Sequence, residues 1–152
     1  MIEDMDQDIG KLLAKIEEQG LTQNTLVIFA SDHGAMLPGS NAPWRDFKGT
    51  LFEGGIRVPL LARHPGSLPA GVENAQVTAL FDLTHSFLRL AGASPEDLAE
   101  LDGIDILKRA QEEAPPTDRS LAWRARRGDL SGRSVALAGG AVVHTFDRSR
   151  DR

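Results

Sequence analysis

The stretch "LVIFASDHGAMLPGSNAPWRDFKGTLFEGGIRVPLLA", Leu26–Ala62, decides which fold and which chemistry this sequence predicts. Its apolar start belongs to the run Thr25–Ala30, which is typical of a strand buried on both faces of a parallel sheet under helices. The run Arg57–Ala62 predicts a second short strand, and Pro59 favours an edge position for it. Between the two strands lies a long segment rich in glycine and turn residues.

Three polar side chains in this stretch are candidates for chemistry. Asp32 and His33 directly follow the first strand, where ligands bind in open α/β sheets. A carboxylate and an imidazole supply an oxygen and a nitrogen ligand to a divalent cation. Lys48, in the irregular segment, fits contact with an anionic substrate. From the residues alone, polar turn residues and a surface lysine are the favoured explanation of these positions.

Helices are predicted on both sides of the strands. Apolar residues recur at three- and four-residue spacing over residues 2–19 and again over residues 80–90, which is the pattern of amphipathic helices. Ser94 followed by Pro95 and two acidic residues predicts the start of another helix. Strands that alternate with helices in this way indicate an α/β fold.

The chain divides by composition into three parts. Residues 1–112 carry the α/β pattern, residues 113–119 read as a linker, and residues 120–152 are a divergent or truncated segment. Two apolar runs around Gly139-Gly140 predict a hairpin in that last segment. We therefore expect a small antiparallel addition at the C-terminus.

Composition excludes several classes of protein. The apolar fraction of 41% and charged fraction of 26% are those of an ordinary globular chain, and no apolar run is long enough for a membrane span. There are no cysteines, which excludes disulfides and thiolate metal sites. The C-terminal arginines are scattered rather than clustered, so no nucleic-acid partner is expected.

Taken in order, several segments resemble the type I sulfatases of the alkaline phosphatase-like superfamily. The matching segments are "NTLVIFASDHG" at 24–34, "FKGTLFEGGIRVPLLARHPG" at 47–66, "DLTHSFLRLAG" at 82–92 and "LDGIDIL" at 101–107. The resemblance extends over residues 1–125. It implies part of an alkaline phosphatase-like sandwich, with a mostly parallel sheet and flanking helices.

The resemblance also implies roles for the candidate residues. Asp32 and His33 are similar to the second pair of ligands of the family's single divalent cation, which is usually calcium. Lys48 is similar to the lysine that contacts the sulfate group, as a substrate-binding and catalytic residue. The family hydrolyses sulfate monoesters with a hydrated formylglycine nucleophile, which the metal activates.

This sequence departs from the family pattern at two places that bear on function. Many relatives carry Asn where this chain has His33, which leaves manganese or zinc open beside calcium. Formylglycine is made from the Cys or Ser of a C/S-x-P-x-R motif. The segment Ser67-Leu68-Pro69 fits the start of that motif, but Gly71 stands where the motif requires Arg. We therefore expect the C-terminal half of a sulfatase, which carries half of the metal site, lacks the formylglycine nucleophile, and needs the missing N-terminal half as a partner.

Two alternatives stay open. The histidine at position 33 is shared with phosphate and phosphonate monoester hydrolases of the superfamily, so the chain could be half of such an enzyme. It could also be a non-catalytic remnant that serves as an interaction module.

Overall fold

The computed structural model describes residues 1–127, 130–136 and 142–147. In chain order the helices are α1 (Ile2–Glu18), α2 (Glu53–Ile56), α3 (Phe81–Leu90), α4 (Pro95–Ala99) and α5 (Ile106–Gln111), with a 3₁₀ turn at Thr22–Asn24. The strands are β1 (Val27–Ala30), β2 (Leu60–Arg63), β3 (Leu121–Arg127), β4 (Leu130–Ala136) and β5 (Val142–Asp147). The described chain contains both helices and strands, as part of an α/β fold requires.

Strand β1 pairs with β2, and the two run antiparallel. Val27 lies opposite Arg63 and Ala30 opposite Leu60. The expected parallel pairing, with β1 buried on both faces, is therefore wrong for the described residues, where β1 is at most half-buried and Phe29 is 37% exposed. The strand that pairs with β1 in this chain is β2. Because the loop between them turns back, the two strands run in opposite directions.

Strand β2 begins at Leu60, later than the predicted start at Arg57. The cause is local, because Arg57 ends the one-turn helix α2, where its N–H donates to the Glu53 carbonyl oxygen. Pro59, which follows, has no N–H to donate to a strand partner. The predicted edge character of this segment agrees with the two-stranded sheet.

Helix α1 begins at the predicted residue and ends one residue before the predicted end. It stops before Gly20, whose φ of +67° is the left-handed conformation that glycine adopts without strain. Its apolar stripe is open to solvent at Ile2, Met5 and Leu12, and no residue of α1 is buried. The predicted start of α4 is also confirmed, since Ser94 and Asp97 form a reciprocal capping box.

The small core lies between α3, α5 and the start of β3. Ile106, Leu107 and Leu121 are the buried apolar residues of the described chain. Two polar residues of α3, Asp82 and Ser86, are fully buried beside them. Both are satisfied by hydrogen bonds, as buried polar groups must be if the fold is to be stable.

Each of these two side chains accepts hydrogen bonds from a distant part of the chain. Asp82 accepts from the N–H groups of Ala79 and Ile104 at 2.7 and 2.9 Å, and from Arg119 at 3.0 Å. Ser86 Oγ accepts from the Ile106 N–H at 3.0 Å and from the Leu107 N–H at 3.4 Å. Helix α3 therefore fixes both the start of α5 and the approach to β3.

The C-terminal strands form a second antiparallel sheet in the order β3-β4-β5. The pairing of β4 with β5, from Ser131 opposite Asp147 to Ala136 opposite Val142, is that of the predicted hairpin. Its predicted turn, Gly139-Gly140, lies outside the described residues. Strand β3 was not predicted. The domain boundaries proposed above stay a prediction.

The segment predicted as a linker, residues 113–119, has no regular structure. It is nevertheless fixed to the helical part of the chain. The Thr117 N–H and hydroxyl donate to Gln76 Oε1 at 2.8 and 3.0 Å, and the Arg119 ion pair with Asp82 follows two residues later. Within the described ranges, no helix is both long and apolar enough to span a membrane.

Candidate functional site

The segment that leaves β1 is fixed by its own backbone. Ser31 Oγ donates to the His33 carbonyl oxygen at 2.8 Å, and the Gly34 N–H donates to the Gly55 carbonyl oxygen at 3.0 Å. These contacts hold the two residues between Ser31 and Gly34 at the end of the strand. Asp32 and His33 are therefore presented from a constrained backbone.

The side chains of Asp32 and His33 lie against each other. Asp32 Oδ2 is 3.1 Å from His33 Nε2, and the side chains are 77% and 39% exposed respectively. His33 Nδ1 lies 3.1 Å from the Gly34 carbonyl oxygen. Because a carbonyl oxygen only accepts, Nδ1 must carry the hydrogen of that bond.

This hydrogen bond determines what Nε2 can do. With the proton on Nδ1, neutral His33 turns the lone pair of Nε2 towards the carboxylate oxygen of Asp32. Two acceptors at this distance repel unless a positive charge lies between them. A proton on Nε2 or a metal cation satisfies that requirement.

The spacing of the two atoms is compatible with metal ligands. Neighbouring ligands of a pentagonal-bipyramidal Ca²⁺ with bonds of about 2.4 Å lie roughly 2.8–3.4 Å apart, and those of a tetrahedral Zn²⁺ about 3.4 Å. The 3.1 Å between Asp32 Oδ2 and His33 Nε2 lies in the calcium range, and it is also the length of an ordinary hydrogen bond between a protonated imidazole and a carboxylate. No group of three or more metal-binding side chains occurs within the described ranges. The pair thus fits two positions of a coordination sphere whose other ligands would come from elsewhere.

The loop after Gly34 doubles back to the same place. The Lys48 N–H donates to the Ala35 carbonyl oxygen at 3.1 Å, so the backbone of Lys48 lies beside the residue that is two positions after His33. The Lys48 side chain is exposed, and its ammonium has no hydrogen bond or ion pair to the described part of the chain. Convergence of that ammonium with the Asp32–His33 pair stays a prediction.

Paired glycines make this close packing of backbone possible. A Cβ on Gly54 would overlap the carbonyl oxygens of Arg45 and Asp46, and one on Gly55 would overlap that of Thr50. A Cβ on Gly34 would overlap the Gly54 carbonyl oxygen in turn. The glycines of the "EGG" sequence therefore allow backbone segments to approach more closely than any side chain would permit.

Charged and aromatic side chains brace the same loop. Arg57 Nη1 lies 3.0 Å from Glu53 Oε2, an ion pair between residues four positions apart. The Arg57 guanidinium also lies 4.2 Å from the centre of the Trp44 ring. Arg45 stacks similarly on Phe52 at 4.1 Å. These cation–π contacts connect α2 to the loop that carries Lys48.

Beside this region lies a cleft of about 670 Å³. Asp32, Glu53 and Arg57 contribute its polar lining near β1, and the rest of the lining is largely apolar. Neither His33 nor Lys48 lines it. Of the predicted site residues, only Asp32 borders the cleft, so the cleft and the candidate anion site are adjoining but different surfaces.

Sequence reasoning missed one residue of this region. Asn41 makes three hydrogen bonds to the backbone at the base of the loop. A signal for it existed, because asparagine in a turn-rich segment commonly bonds to nearby backbone groups. The histidine of α3, His85, is half-buried.

Comparison with known proteins gives this geometry its context. Residues 1–93 match the family model described as Sulfatase. The chain belongs to the sulfatase family. The family lies within the alkaline phosphatase-like superfamily, as the sequence motifs predicted.

Individual sulfatases support the same assignment. The chain is 37% identical over 134 residues to N-acetylgalactosamine-6-sulfatase of Canis lupus familiaris, in a match that covers 84% of this chain and 25% of the relative. It is 39% identical over 132 residues to steryl-sulfatase of Mus musculus, in a match that covers 80% of this chain and 21% of the relative. The chain thus spans about a quarter or less of the length of these sulfatases.

A solved structure has a similar fold. The crystal structure of Ps i-CgsB in complex with k-i-k-neocarrahexaose superposes with a TM-score of 0.82 at 29% identity. The match covers 97% of this chain and 35% of that protein. The arrangement of elements described above is therefore that of one part of a larger sulfatase fold.

Proposed function

We propose that this chain forms one wall of a sulfatase active site that hydrolyses sulfate monoesters. In this proposal Asp32 and His33 hold a divalent cation and Lys48 binds the sulfate group. The observation that carries the proposal is the paired arrangement of Asp32 Oδ2 and His33 Nε2, 3.1 Å apart at the end of β1, in a chain of the sulfatase family.

The residues of the chain have distinct tasks in such a site. Asp32 supplies a hard anionic ligand, and His33 supplies Nε2 because Nδ1 is occupied by the Gly34 carbonyl oxygen. Lys48 adds a positive charge that stabilises the negative charge developing on the sulfate oxygens. When bound, the cation would withdraw charge from the same oxygens.

The cation is proposed to be calcium, as is usual in the family, with manganese or zinc as the alternatives that an imidazole ligand favours. The formylglycine nucleophile cannot be formed from this chain's own motifs, since it has no Cys and no C/S-x-P-x-R sequence. We therefore propose that the nucleophile and the remaining metal ligands come from the other part of a sulfatase fold.

The surface of the chain supports a partner of that kind. The apolar stripe of α1 and the apolar lining of the 670 Å³ cleft are uncovered in the described part of the chain. In Ps i-CgsB the matched region is 35% of the protein, so most of that sulfatase lies outside it. Contiguous exposed apolar surface commonly marks a site of interaction with another protein.

The test is an assembly experiment. The chain would be joined to the upstream part of a sulfatase that carries the C/S-x-P-x-R motif, and the fusion would be produced together with formylglycine-generating activity. We expect calcium-dependent hydrolysis of an aryl sulfate, and a decrease in kcat/KM of about 100-fold for Lys48→Ala, as for loss of one transition-state contact. Lys11→Ala, on the exposed face of α1, is the matched control and should leave the rate unchanged.

The isolated chain should not turn over the same aryl sulfate, with or without calcium. Turnover above that of an Asp32→Ala variant of the isolated chain would contradict the proposal. Full activity of the fused Lys48→Ala variant would remove Lys48 from the mechanism.

One observation favours a second candidate, a phosphate or phosphonate monoester hydrolase. The imidazole of His33 as a ligand is shared with those enzymes of the superfamily. Assaying the same fusion with an aryl phosphate decides between the two candidate functions. A kcat/KM higher for the aryl phosphate than for the aryl sulfate would exclude the sulfatase. A correctly folded fusion that hydrolyses neither ester would instead favour a non-catalytic interaction module.

A further inference from the structure

We propose that Asn41 is a positioning residue that sets the place of Lys48 relative to Asp32 and His33. The proposal rests on the proposed function, because it assigns Asn41 a role in sulfate binding through Lys48. The hydrogen bonds of the Asn41 side chain go to Ala35 and Asp46, and none goes to the candidate ligands or the Lys48 ammonium.

The side chain of Asn41 closes the base of the loop. Its Oδ1 accepts from the Ala35 N–H at 2.7 Å, and its Nδ2 donates to the Ala35 carbonyl oxygen at 2.9 Å. The same Nδ2 donates to the Asp46 carbonyl oxygen at 3.1 Å. The Asn41 amide thus joins Ala35, which follows Gly34, to Asp46, which lies two residues before Lys48.

The Ala35 carbonyl oxygen is the point where these contacts meet. It accepts from Asn41 Nδ2 and also from the Lys48 N–H at 3.1 Å. The Gly34 N–H, one residue earlier, is bound to the Gly55 carbonyl oxygen. A single hydrogen-bonded network therefore connects the backbone after the cation pair with the backbone of the lysine.

Asparagine is the residue that this position requires. Ala35 presents both a donor and an acceptor, and only an amide side chain of this length answers both at once. An aspartate in place of Asn41 would keep the bond to the Ala35 N–H, but its second oxygen would face the carbonyl oxygens of Ala35 and Asp46. We therefore expect Asn41→Asp to be no better than Asn41→Ala, although it is nearly isosteric.

The functional consequence concerns the anion rather than the cation. Without the Asn41 bonds the loop gains conformational freedom, and binding of an anion by Lys48 must then order it again. The hydrogen bonds that hold Asp32 and His33 are made by Ser31, Gly34 and Gly55, and the Asn41 side chain bonds none of these three residues. Loss of Asn41 should weaken sulfate binding while leaving cation binding nearly unchanged, and that split separates positioning from general destabilisation.

The experiment uses the full chain labelled with ¹⁵N and ¹³C. Calcium is titrated first, with the Asp32 and His33 signals as readout, and sodium sulfate is then titrated at saturating calcium, with the Lys48 side-chain signals as readout. Amide hydrogen exchange is measured at Ala35 and Lys48. The variants are Asn41→Ala and Asn41→Asp. The matched control is Asn74→Ala, which removes a similar local bond to the Gln76 N–H outside this loop.

We expect both Asn41 variants to lose about tenfold in sulfate affinity and in exchange protection at the two amides, with calcium affinity within about twofold of the native chain. The control should change none of these quantities. Native sulfate affinity in Asn41→Ala, or an equal loss of calcium and sulfate binding, overturns the positioning role alone. Absence of any sulfate response at Lys48 in the native chain overturns the proposed function, and the inference with it.

Discussion

At the scale of single residues, Gly34 shows how backbone packing fixes the candidate site. A Cβ at this position would overlap the Gly54 carbonyl oxygen, and the two backbone segments are joined by the bond from the Gly34 N–H to the Gly55 carbonyl oxygen, so they cannot move apart freely. Gly34→Ala should therefore unfold the local structure and abolish the calcium response of Asp32 and His33. The control is Gly10→Ala, because nothing lies within 4 Å of a Cβ there.

The free energy of unfolding of the Gly10→Ala variant should be higher by up to about 1 kcal/mol, because alanine is the better helix former. Both changes are measured by calcium titration and by urea unfolding. An intact calcium response in Gly34→Ala would mean that the loop is more adaptable than its packing indicates.

Asp46 is a residue with an unfavourable backbone conformation. Its φ is +73°, in the left-handed region that favours glycine. Asp46→Gly should raise the free energy of unfolding by roughly 0.5–1 kcal/mol, because the strain is removed while the carbonyl oxygen that Asn41 binds remains. Urea unfolding measures the change. Asp102→Gly, at an exposed position without positive φ, is the control and should not stabilise the chain.

At the scale of elements, Ser86 links α3 to α5. Its buried hydroxyl accepts from the Ile106 and Leu107 N–H groups at the start of α5. Ser86→Ala leaves these buried donors unsatisfied and should cost about 1–3 kcal/mol. Ser86→Thr retains the hydroxyl and should cost less, and the exposed Thr84→Ala on the same helix should cost little. Equal thermal stability of Ser86→Ala and Thr84→Ala would contradict this role.

The elements also show which parts of the fold could be predicted from the sequence. The bounds of α1 and the cap of α4 could be predicted because periodicity and capping are local signals. Strand β3 was missed because arginines interrupt its pattern, and its pairing with β4 is a tertiary property. The direction of the β1–β2 pairing likewise depends on how the long loop between them folds.

Some features of the candidate site could likewise be predicted from the sequence, and others could not. Asp32 and His33 are adjacent in the sequence, so their proximity could be predicted. The role of Asn41 depends on the loop closing between Ala35 and Asp46. The buried ion pair of Asp82 with Arg119 joins residues 37 positions apart, and no local pattern reveals such a contact.

At the scale of the whole molecule, the described chain exposes much apolar surface around a small core. Large hydrophobic side chains of α1, β2 and α3 are exposed, among them Ile2, Leu61 and Phe87. We expect the isolated chain to be poorly stable or to self-associate, as exposed apolar patches and strand edges promote. Light scattering after size exclusion should show a mass that rises with concentration. A monodisperse monomer with cooperative thermal unfolding would contradict this expectation.

The central claim is that Asp32, His33 and Lys48 belong to one cation and sulfate site. Paramagnetic broadening by Mn²⁺, added in small amounts to the ¹⁵N- and ¹³C-labelled chain with sulfate present, tests it most directly because it detects weak binding. We predict that signals of Asp32, His33 and the Lys48 side chain broaden first, ahead of the acidic residues of α1. Broadening centred on α1, or at Asp32 and His33 without Lys48, would contradict the claim.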